Sequence, residues 1–444
     1  MRIMCAVIAV CLLLCGCADL HEPNNIAYVV ALGIDKAKND NYDITIQFAR
    51  PVQISGGSGE GSGSGENITE NITIEAPTLF GALSIANQLV SKKFDMSHAK
   101  LIIFSEEVAR EGISNFMEAM TRSSQVRPNI YMAVALGSAG EYLRAVKPMI
   151  EINPVKYYQL IYENSGSVYS PNDLTIDFYF SETSDYSDSV LPLAGVIAET
   201  DEGSGEGNTN SESGAGGSSG SGEQSGGGGD SKSAGSDAQP AEKKSGFQFH
   251  LPDYIPGELP KKTSNKSEVI GMALFSGDKM KGMMGATDCE IYNMIKGTYI
   301  SSYVPFKNLD NDDIITMRIE EEEKPDIKVD VSDDMPKIAI KMELEGEITS
   351  VPNYFVEEEN ILELEQMMKR ETEKAVGKFL YKTAQSYNVD ICGFGGYAKR
   401  SFLTNQEFEK YKWKEKYKDA AFDVDIEFRI RRSGLVLRNS VDVK

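Results

Sequence analysis

The sequence predicts a multi-domain protein of mixed α/β and α+β class, in which mixed sheets pack against helices. Strand and helix patterns alternate through the amino-terminal half of its 444 residues. In the carboxy-terminal half, alternating strands bracket one long amphipathic helix, and a Gly/Ser-rich strip separates the halves. A chain of this length has room for two or three domains with their own cores, and we expect three.

In the amino-terminal half, predicted strands and helices alternate, which indicates a sheet covered by helices. Ile26 to Asp35 and Tyr42 to Phe48 are strand-like, and the second alternates strictly between apolar and polar residues. A helix is expected after Pro77-Thr78. The later predicted elements are a strand at 100–104, helices across 106–121, a strand at 130–136 and a helix from Asn153-Pro154.

The carboxy-terminal half predicts α+β packing. Strand patterns cover Val269 to Phe275, Ile338 to Leu344 and Phe422 to Ile430. Between the last two lies the longest helix pattern, Glu357 to Gln385, whose acidic start and later lysines suit the helix dipole. One face of a sheet is therefore expected to pack on this helix.

Low-complexity segments supply the clearest boundaries. Ser55 to Glu66 has the composition of a long loop, and about Asp201 to Gly246 has too few apolar residues to fold. The predicted divisions are a signal peptide (1–16), a lipidated tether (17–25), an amino-terminal domain (26–199), a linker (200–264), a middle α/β domain (265–350) and a carboxy-terminal α+β domain (351–444). A break between the last two is plausible around Pro352.

The first residues have the pattern of a bacterial lipoprotein signal. Arg2 precedes an apolar run, Ile3 to Leu14, that is too short to span a bilayer as a helix. Leu14-Cys15-Gly16-Cys17 follows, with a small residue before the cysteine that would become the lipidated amino terminus. Cys17 is therefore the predicted lipidation site. The alternatives are an ordinary secretory signal with incidental cysteines or a buried first strand.

Charge and cysteine content narrow the partners. A formal net charge of −22 repels nucleic acid and provides no overall polybasic attraction to anionic lipid, so the anchor must supply the membrane affinity. Cys289 and Cys392 remain beside Cys17 after processing. They could form a disulfide outside the cytosol, but two cysteines so far apart are more often separate buried residues.

Four segments in order resemble the Ger(x)C family, the lipoprotein C subunits of nutrient germinant receptors. The first is the lipobox cysteine followed by Ala31-Leu-Gly-Ile-Asp35, and the second is Ser189-Val-Leu-Pro-Leu193. The third is the strand-turn-strand segment from Gly271 to Gly282. The fourth is Val389-Asp-Ile-Cys-Gly-Phe-Gly395, followed by Trp413 and a terminal strand ending Ile430-Arg-Arg-Ser-Gly-Leu435. Together they extend over nearly all of the mature chain, which departs from the family in its two Gly/Ser-rich insertions and in Cys392.

This resemblance implies a three-domain protein on the outer face of the spore inner membrane. It implies assembly with a multi-spanning A subunit and a transporter-like B subunit, and a requirement for the response to small-molecule germinants.

Catalytic and metal chemistry find little support in the residues. His21, His98 and His250 have no neighbouring ligands at metal-site spacing. Cys392 lies among glycines as a nucleophile could, but no histidine is near in sequence. Gly393 to Gly396 lacks the lysine and hydroxyl of a phosphate loop, so these glycines are interpreted as backbone turn residues. The sequence therefore assigns no catalytic, cofactor or metal residue.

Four other features have both a structural and a functional interpretation. Acidic residues from Glu320 to Asp334 could bind calcium but lack an ordered ligand loop, which favours a solvated stretch. The N-glycosylation sequons at Asn67 and Asn71 are interpreted as unmodified, because the lipobox indicates a bacterial protein. Arg429, Arg431 and Arg432 could contact lipid headgroups, an acidic partner or carboxylates of this chain. Trp413, the sole tryptophan, is expected in the core.

The leading hypothesis is a non-enzymatic, lipid-anchored C subunit that helps to assemble a germinant receptor. The rival is a lipid-anchored solute-binding protein or an envelope enzyme. A solute-binding protein would be expected to have two similar lobes around a cleft, whereas the two halves here differ in rhythm.

Overall fold

The structure is a computed structural model that describes residues 25–50, 69–151, 153–163, 169–171, 178–179, 184–197, 247–249, 253–308, 312, 314–350 and 358–432. The signal peptide, Cys17, both Gly/Ser-rich stretches, His21, His250, Asn67 and Pro352 lie outside the described residues.

The first sheet has nine described strands. They are β1 (Ile26–Lys36), β2 (Tyr42–Ala49), β3 (Thr69–Ala76), β4 (Lys93–Asp95), β5 (Leu101–Ser105), β6 (Tyr131–Ala135), β7 (Ser189–Val196), β9 (Ser267–Ser276) and β10 (Lys279–Met284). Their order is β10-β9-β7-β6-β5-β1-β2-β3, and β4 pairs with β1. The strands β1, β4, β5, β6 and β7 run parallel, whereas the hairpins at both ends of the sheet are antiparallel.

Helices cover both faces of this sheet. They are α1 (Leu79–Leu89), α2 (Glu106–Glu111), α3 (Ser114–Arg122), α4 (Ala139–Ala145) and α5 (Pro154–Glu163). The first begins at Thr78, whose hydroxyl accepts a hydrogen bond from the Gly81 N–H. Helices α1 to α3 pack on one face with residues such as Leu32 and Ile102, while α4 and α5 pack on the other with Ala31 and Leu101. The two faces therefore form separate apolar cores.

The second sheet has five described strands in the order β14-β13-β12-β11-β8. They are β8 (Phe247–Phe249), β11 (Ser301–Asn308), β12 (Ile314–Asp330), β13 (Lys337–Ser350) and β14 (Ala421–Arg432). The helices of this part are α6 (Ala286–Lys296), α7 (Glu358–Tyr381, continued by a π turn at Lys382–Tyr387), α8 (Phe394–Lys399), α9 (Asn405–Tyr411) and α10 (Trp413–Lys416). A 3-10 turn, Tyr417–Asp419, leads into β14.

The long helix α7 protects the edge strand of the second sheet. Strand β14 pairs in parallel with β13, which leaves its other edge in need of hydrogen-bond partners. The Glu373 carboxylate accepts the Ile426 N–H at 3.2 Å, and Glu365 accepts the Ile430 N–H at 2.7 Å. Helix α7 therefore buries its apolar face and also provides acceptors for the free edge of β14. The second role explains why glutamates occur within the predicted helix.

One apolar core joins the two sheets. It contains Met272 and Met284 of the first sheet together with Ile340 of β13, Phe379 of α7 and Ile426 of β14. The two sheets therefore share packed side chains, and α6 contributes Cys289 and Met294 to the same core.

Most predicted elements are present within a few residues of their expected bounds, and the mixed α+β class is confirmed. Helix α6 and the strands β3, β11 and β12 were not predicted; in β12 the run of glutamates at 320–323 conceals the alternation. Strands β9 and β10, assigned by sequence to a middle domain, pair with the amino-terminal sheet. The sheets thus cross the predicted boundary near residue 265, and the division into three domains stays a prediction. Within the described ranges, no helix is both long and apolar enough to cross a bilayer.

Candidate functional site

Two segments that are far apart in sequence meet at a buried junction, which we define as Asp188, Asp390, Trp413 and Lys414. The Asp390 carboxylate is 1% exposed. It accepts hydrogen bonds from the backbone N–H groups of Gly393, Phe394 and Gly395 at 2.9, 2.9 and 2.7 Å. The Trp413 indole N–H donates a fourth at 2.9 Å. The Asp390 carboxylate therefore stabilises the start of α8 and also fixes the position of the Trp413 ring.

Asp188 connects this cluster to the first sheet. It directly precedes β7, and its backbone N–H donates to the Asp390 carbonyl at 3.0 Å. Its carboxylate accepts the Asp390 N–H at 2.9 Å and the Lys414 ammonium at 2.9 Å. One backbone hydrogen bond, one bond from the Asp390 N–H to the Asp188 carboxylate and the ion pair tie the start of β7 to the carboxy-terminal helices.

The glycines at the junction are required by its geometry. Gly393 has a φ of +79°, a conformation that side chains rarely adopt. A Cβ atom on Gly395 would lie 2.0 Å from the Tyr186 carbonyl oxygen and 2.6 Å from Trp413 Nε1. The interpretation as a turn residue agrees with the geometry of Gly393, whereas Gly395 and Gly396 lie within helix α8 and not in a turn.

Burial dominates the electrostatics of the junction. It raises the pKa of Asp390 to about 6, although the three backbone N–H groups and the indole favour the charged form. Burial also raises the pKa of the Cys392 thiol well above its usual range. A thiol held in its neutral form is a poor nucleophile, which counts against the catalytic interpretation of Cys392.

A second set of contacts joins the segment Gly271 to Gly282 to the end of α7. A Cβ on Gly282 would lie 2.1 Å from the Tyr387 ring, so only glycine lets this ring cross β10. The Tyr387 hydroxyl donates to the Met283 carbonyl at 3.2 Å. Nearby, Lys382 forms an ion pair with Asp288 of α6. The strand-turn-strand segment is thus held against the carboxy-terminal half.

A polar crevice of about 700 Å³ lies at the carboxyl ends of β1 and β5, and we call it the carboxyl-edge crevice. Its lining includes Asp35, Ser105, Ser138 and Arg144. In parallel sheets this edge is the usual place for a ligand. The crevice is therefore a candidate site for a small polar molecule.

Most charged groups of the crevice already have partners within the chain. The Asp35 carboxylate accepts the Ala139 and Gly140 N–H groups at 2.7 and 2.8 Å, which fixes the start of α4. Lys36 lies 2.6 Å from Glu111, and Arg144 lies 3.5 Å from the Thr73 hydroxyl. Asp35 and Lys36 are therefore committed within the chain, whereas Arg144, among the described residues, donates only to a neutral hydroxyl.

The structure resolves the alternatives for the cysteines and for His98. Cys289 and Cys392 are both free and buried, so the prediction of separate buried residues is confirmed. His98 lies in an edge contact with the Tyr28 ring at 4.6 Å, with its Nδ1 3.0 Å from the Ser97 hydroxyl. No group of acidic, histidine or cysteine residues within the described ranges could hold a metal ion.

The remaining sequence features have structural roles. Trp413 is 1% exposed, which confirms its expected place in the core. Arg429 pairs with Glu427, and Arg431 pairs with Glu322 and Glu345, so pairing within the chain is the alternative observed for these two arginines. Asn71 is in β3, and its side-chain oxygen accepts from Gln47 at 3.1 Å.

The stretch from Glu320 to Asp334 is predicted to be solvated, but the Glu321 side chain is partly buried. It lies at an irregularity in the pairing of β12 with β13, and one of its carboxylate oxygens is buried with no hydrogen-bond partner. Burial raises the pKa of Glu321 to about 8. Between about pH 4.5 and 8 the unfolded chain is ionised here while the folded chain keeps the proton, so the folded state loses stability as the pH rises.

We expect Glu321→Gln to remove this loss. The variant should gain stability over the natural chain as the pH rises from 5 to 8, by roughly 2 kcal/mol after allowance for the exposed part of the side chain. Urea unfolding across this pH range measures the difference. Glu320→Gln is the matched control, because Glu320 pairs with Arg318 on the exposed face. A constant difference between the Glu321 variant and the natural chain would contradict the assignment.

The comparisons with known proteins agree with this architecture. A family model described as "Spore germination protein N-terminal domain" matches residues 19–196, and one described as "Spore germination B3/ GerAC like, C-terminal" matches residues 270–434. The fold superposes on the crystal structure of the GerBC protein with a TM-score of 0.50 and 17% identity, covering 90% of this chain and 96% of that one.

Curated relatives match over a shorter segment. The Bacillus subtilis (strain 168) protein YfkR, named provisionally as a spore germination protein, is 31% identical over 30% of this chain and 35% of its own length. Spore germination protein KC of the same organism is 26% identical over 31% of this chain and 34% of its own length. These matches span about a third of each relative.

Two mixed sheets, helices on their faces and a buried junction between them define a multi-domain α+β protein. The two family models together match well over half of its residues. The chain belongs to the Ger(x)C family of spore germination proteins, and the resemblance found in its sequence is confirmed.

Proposed function

We propose that the chain is the lipid-anchored C subunit of a nutrient germinant receptor and acts as a non-catalytic scaffold in its assembly. In this proposal Cys17 holds the protein at the outer face of the spore inner membrane. The A and B membrane subunits of the receptor are its partners, and no nucleic acid or cofactor takes part.

The observation that carries the proposal is the junction. The second and fourth segments through which the chain resembles its family meet there, because Asp188 directly precedes Ser189 and both Asp390 and Trp413 belong to the fourth. Their residues join the two sheets. Asp390 accepts four N–H groups and Asp188 binds Lys414, so these polar side chains are committed to holding the shape. A rigid body that presents fixed surfaces suits a scaffold.

The role of Asp35 supports the same interpretation. This residue ends the first family-like segment and lies in the carboxyl-edge crevice, where a ligand-binding carboxylate could be expected. Instead its oxygens fix the start of α4 through two N–H groups and the Ser138 hydroxyl. The family-like residues at both places therefore stabilise the fold.

We expect the full chain, tagged at its carboxyl terminus and solubilised from spore membranes, to retain two polytopic membrane proteins, one of them transporter-like. A variant with Asp390→Ala should lose most of this retention, because the surfaces of both sheets depend on the junction. Asp419→Ala, an exposed change nearby, should keep it. Mass spectrometry of the captured proteins and germination of spores carrying each variant give the readout.

The carboxyl-edge crevice favours a second candidate, solute binding. Tight binding of an amino acid or a sugar by the purified full chain, without any membrane subunit, would favour this candidate over the scaffold. Calorimetric titration tests it directly. The internal pairing of Asp35 and Lys36 leads us to expect no such binding.

A further inference from the structure

A group of cations lies at the amino-terminal edge of the first sheet, where β1 begins. We define the amino-edge patch as these cations together with two exposed apolar residues of α1: Lys92, Lys93, Lys100, Arg127, Ile85 and Leu89. The net charge of −22 gives no indication of this patch, because it is a sum over the whole chain.

Strand pairing brings the cations to one edge. Lys93 pairs with Ile26 at the start of β1. Lys100 donates its N–H to the Val30 carbonyl and accepts the N–H of Tyr131, which links it to the first residue of β6. Lys93 and Lys100 are thus separated by four residues of β1, roughly 14 Å along the strand. Arg127 is in the segment that leads into β6.

These cations differ from most others in the chain. No carboxylate among the described residues lies within ion-pair distance of Lys92, Lys93, Lys100 or Arg127, whereas the neighbouring Arg122 is paired with Glu118 at 2.6 Å. Lys93 and Arg127 are exposed, and Lys92 and Lys100 are half-buried. Unpaired cations in so acidic a protein leave this edge locally positive.

Apolar residues continue the patch onto helix α1. Ile85 is 46% exposed and Leu89 is 63% exposed. Their four-residue spacing places them on one face of the helix. Lys92 and Lys93 follow directly after the helix ends. Exposed aliphatic side chains beside lysines are the combination that interfacial segments use to contact a bilayer.

The opposite sign is found on the second sheet. Over 318–322, 341–347 and 423–431, the outward positions carry four basic residues, each already paired with a glutamate there, against eight acidic residues: Glu320, Glu322, Glu343, Glu345, Glu347, Asp423, Asp425 and Glu427. An anionic surface would attract the amino-edge patch and repel this face. The two charge distributions together define an orientation.

We propose that the amino-edge patch docks on a bilayer that contains anionic lipid. The proposal rests on the anchoring role of Cys17. The eight Cα–Cα steps from Cys17 to the described start at Asn25 reach at most about 28 Å, which keeps this edge close to the anchor. The anchor supplies the attachment. The lysines bind phosphate headgroups, Ile85 and Leu89 enter the interface, and the acidic sheet face is held away from the membrane toward a partner.

The test uses the full lipidated chain inserted into phosphatidylcholine vesicles with or without phosphatidylglycerol. Acetylation of lysines by a neutral reagent, followed by mass spectrometry, reports their exposure. Because each lysine near an anionic surface contributes about a fivefold preference for the docked state, acetylation of Lys92, Lys93 and Lys100 should slow roughly fivefold or more with phosphatidylglycerol. Lys410 and Lys418 serve as internal references, and high salt should abolish the difference.

Charge reversal at the patch supplies the control. In the double variant Lys92→Glu and Lys93→Glu, acetylation of Lys100 should return to its rate on phosphatidylcholine alone. The matched double variant Lys410→Glu and Lys418→Glu, in which the exposed Lys374 serves as the reference, should retain the protection. Equal acetylation on both vesicle types, or protection that survives charge reversal at Lys92 and Lys93, would overturn the docking proposal. A chain that fails to sediment with either vesicle type would instead contradict the anchor.

Discussion

Asp390→Ala is expected to lower the free energy of unfolding by about 3–5 kcal/mol, which is a large share of the stability of a typical domain. The substitution leaves three backbone N–H groups and the Trp413 indole without their acceptor in a buried place. Unpaired buried donors lose their hydration without recovering a hydrogen bond. Urea unfolding of the purified protein measures the change.

Two further variants separate the junction from a general effect of removing charge. Asp390→Asn keeps one acceptor oxygen but turns an NH₂ group toward other donors, so its loss should be intermediate. Asp419→Ala should change the stability by no more than about 0.5 kcal/mol, because Asp419 is exposed. A loss below about 1 kcal/mol for Asp390→Ala would show that the four donors find other partners.

The sequence predicted the elements whose periodicity is regular. The alternation of Ile338, Ile340, Met342 and Leu344 gave β13, and these four residues are all buried. In the long predicted helix, which is α7 in the structure, the apolar residues Leu364, Met368 and Phe379 are buried as well. In such segments one face is decided by apolar burial alone, which sequence spacing records directly.

Strand β12 and helix α6 were missed because burial competes with other requirements there. In β12 the glutamates at 320–323 interrupt the alternation, and the pairing with β13 shifts register at the same place. In α6 the charged Glu290 is 2% exposed and accepts from the Tyr299 hydroxyl at 3.3 Å. A buried carboxylate inside a helix breaks the apolar pattern from which helices are predicted.

The junction was only partly visible in the sequence. Gly393 and Gly395 indicated a tight turn, and an aspartate shortly before them is typical of a helix start. The other partners depend on tertiary structure, since Trp413 is 23 residues away from Asp390 and Asp188 is 202 residues away. Contacts between residues so far apart in sequence cannot be predicted from a local pattern. Only the resemblance to a family indicated that these segments belong to one protein type.

The same limit applies to charge. A net charge of −22 argues against a nucleic-acid partner, but it averages over surfaces of opposite sign. Lys93 and Lys100 become neighbours of β1 only through strand pairing. The amino-edge patch therefore refines the sequence-based conclusion that the anchor alone supplies the membrane affinity.

Cys17→Ala is expected to abolish incorporation of labelled palmitate into the protein and to leave residues 1–16 uncleaved. Only a thiol at this position can carry the thioether-linked lipid, and processing of a lipoprotein signal depends on that lipid. Metabolic labelling in the spore-forming host and mass spectrometry of the amino terminus measure both effects. Nutrient germination should fall toward the level of a deletion strain, because the short apolar run that stays on the unprocessed chain is a weaker membrane anchor than the lipid.

Cys15→Ala is the control that makes the assignment specific. Cys15 lies two positions before Cys17 and is lost with the signal if Cys17 is the processed residue, so this variant should keep full labelling and germination. Retained labelling in the Cys17 variant would overturn the lipidation site, and lost labelling in both would show that the apolar run requires Cys15 for recognition. Because one acyl chain binds membranes only marginally, the labelled lipid should contain at least two chains, or else the patch must contribute the second signal. The mass of the lipidated amino terminus distinguishes these two cases.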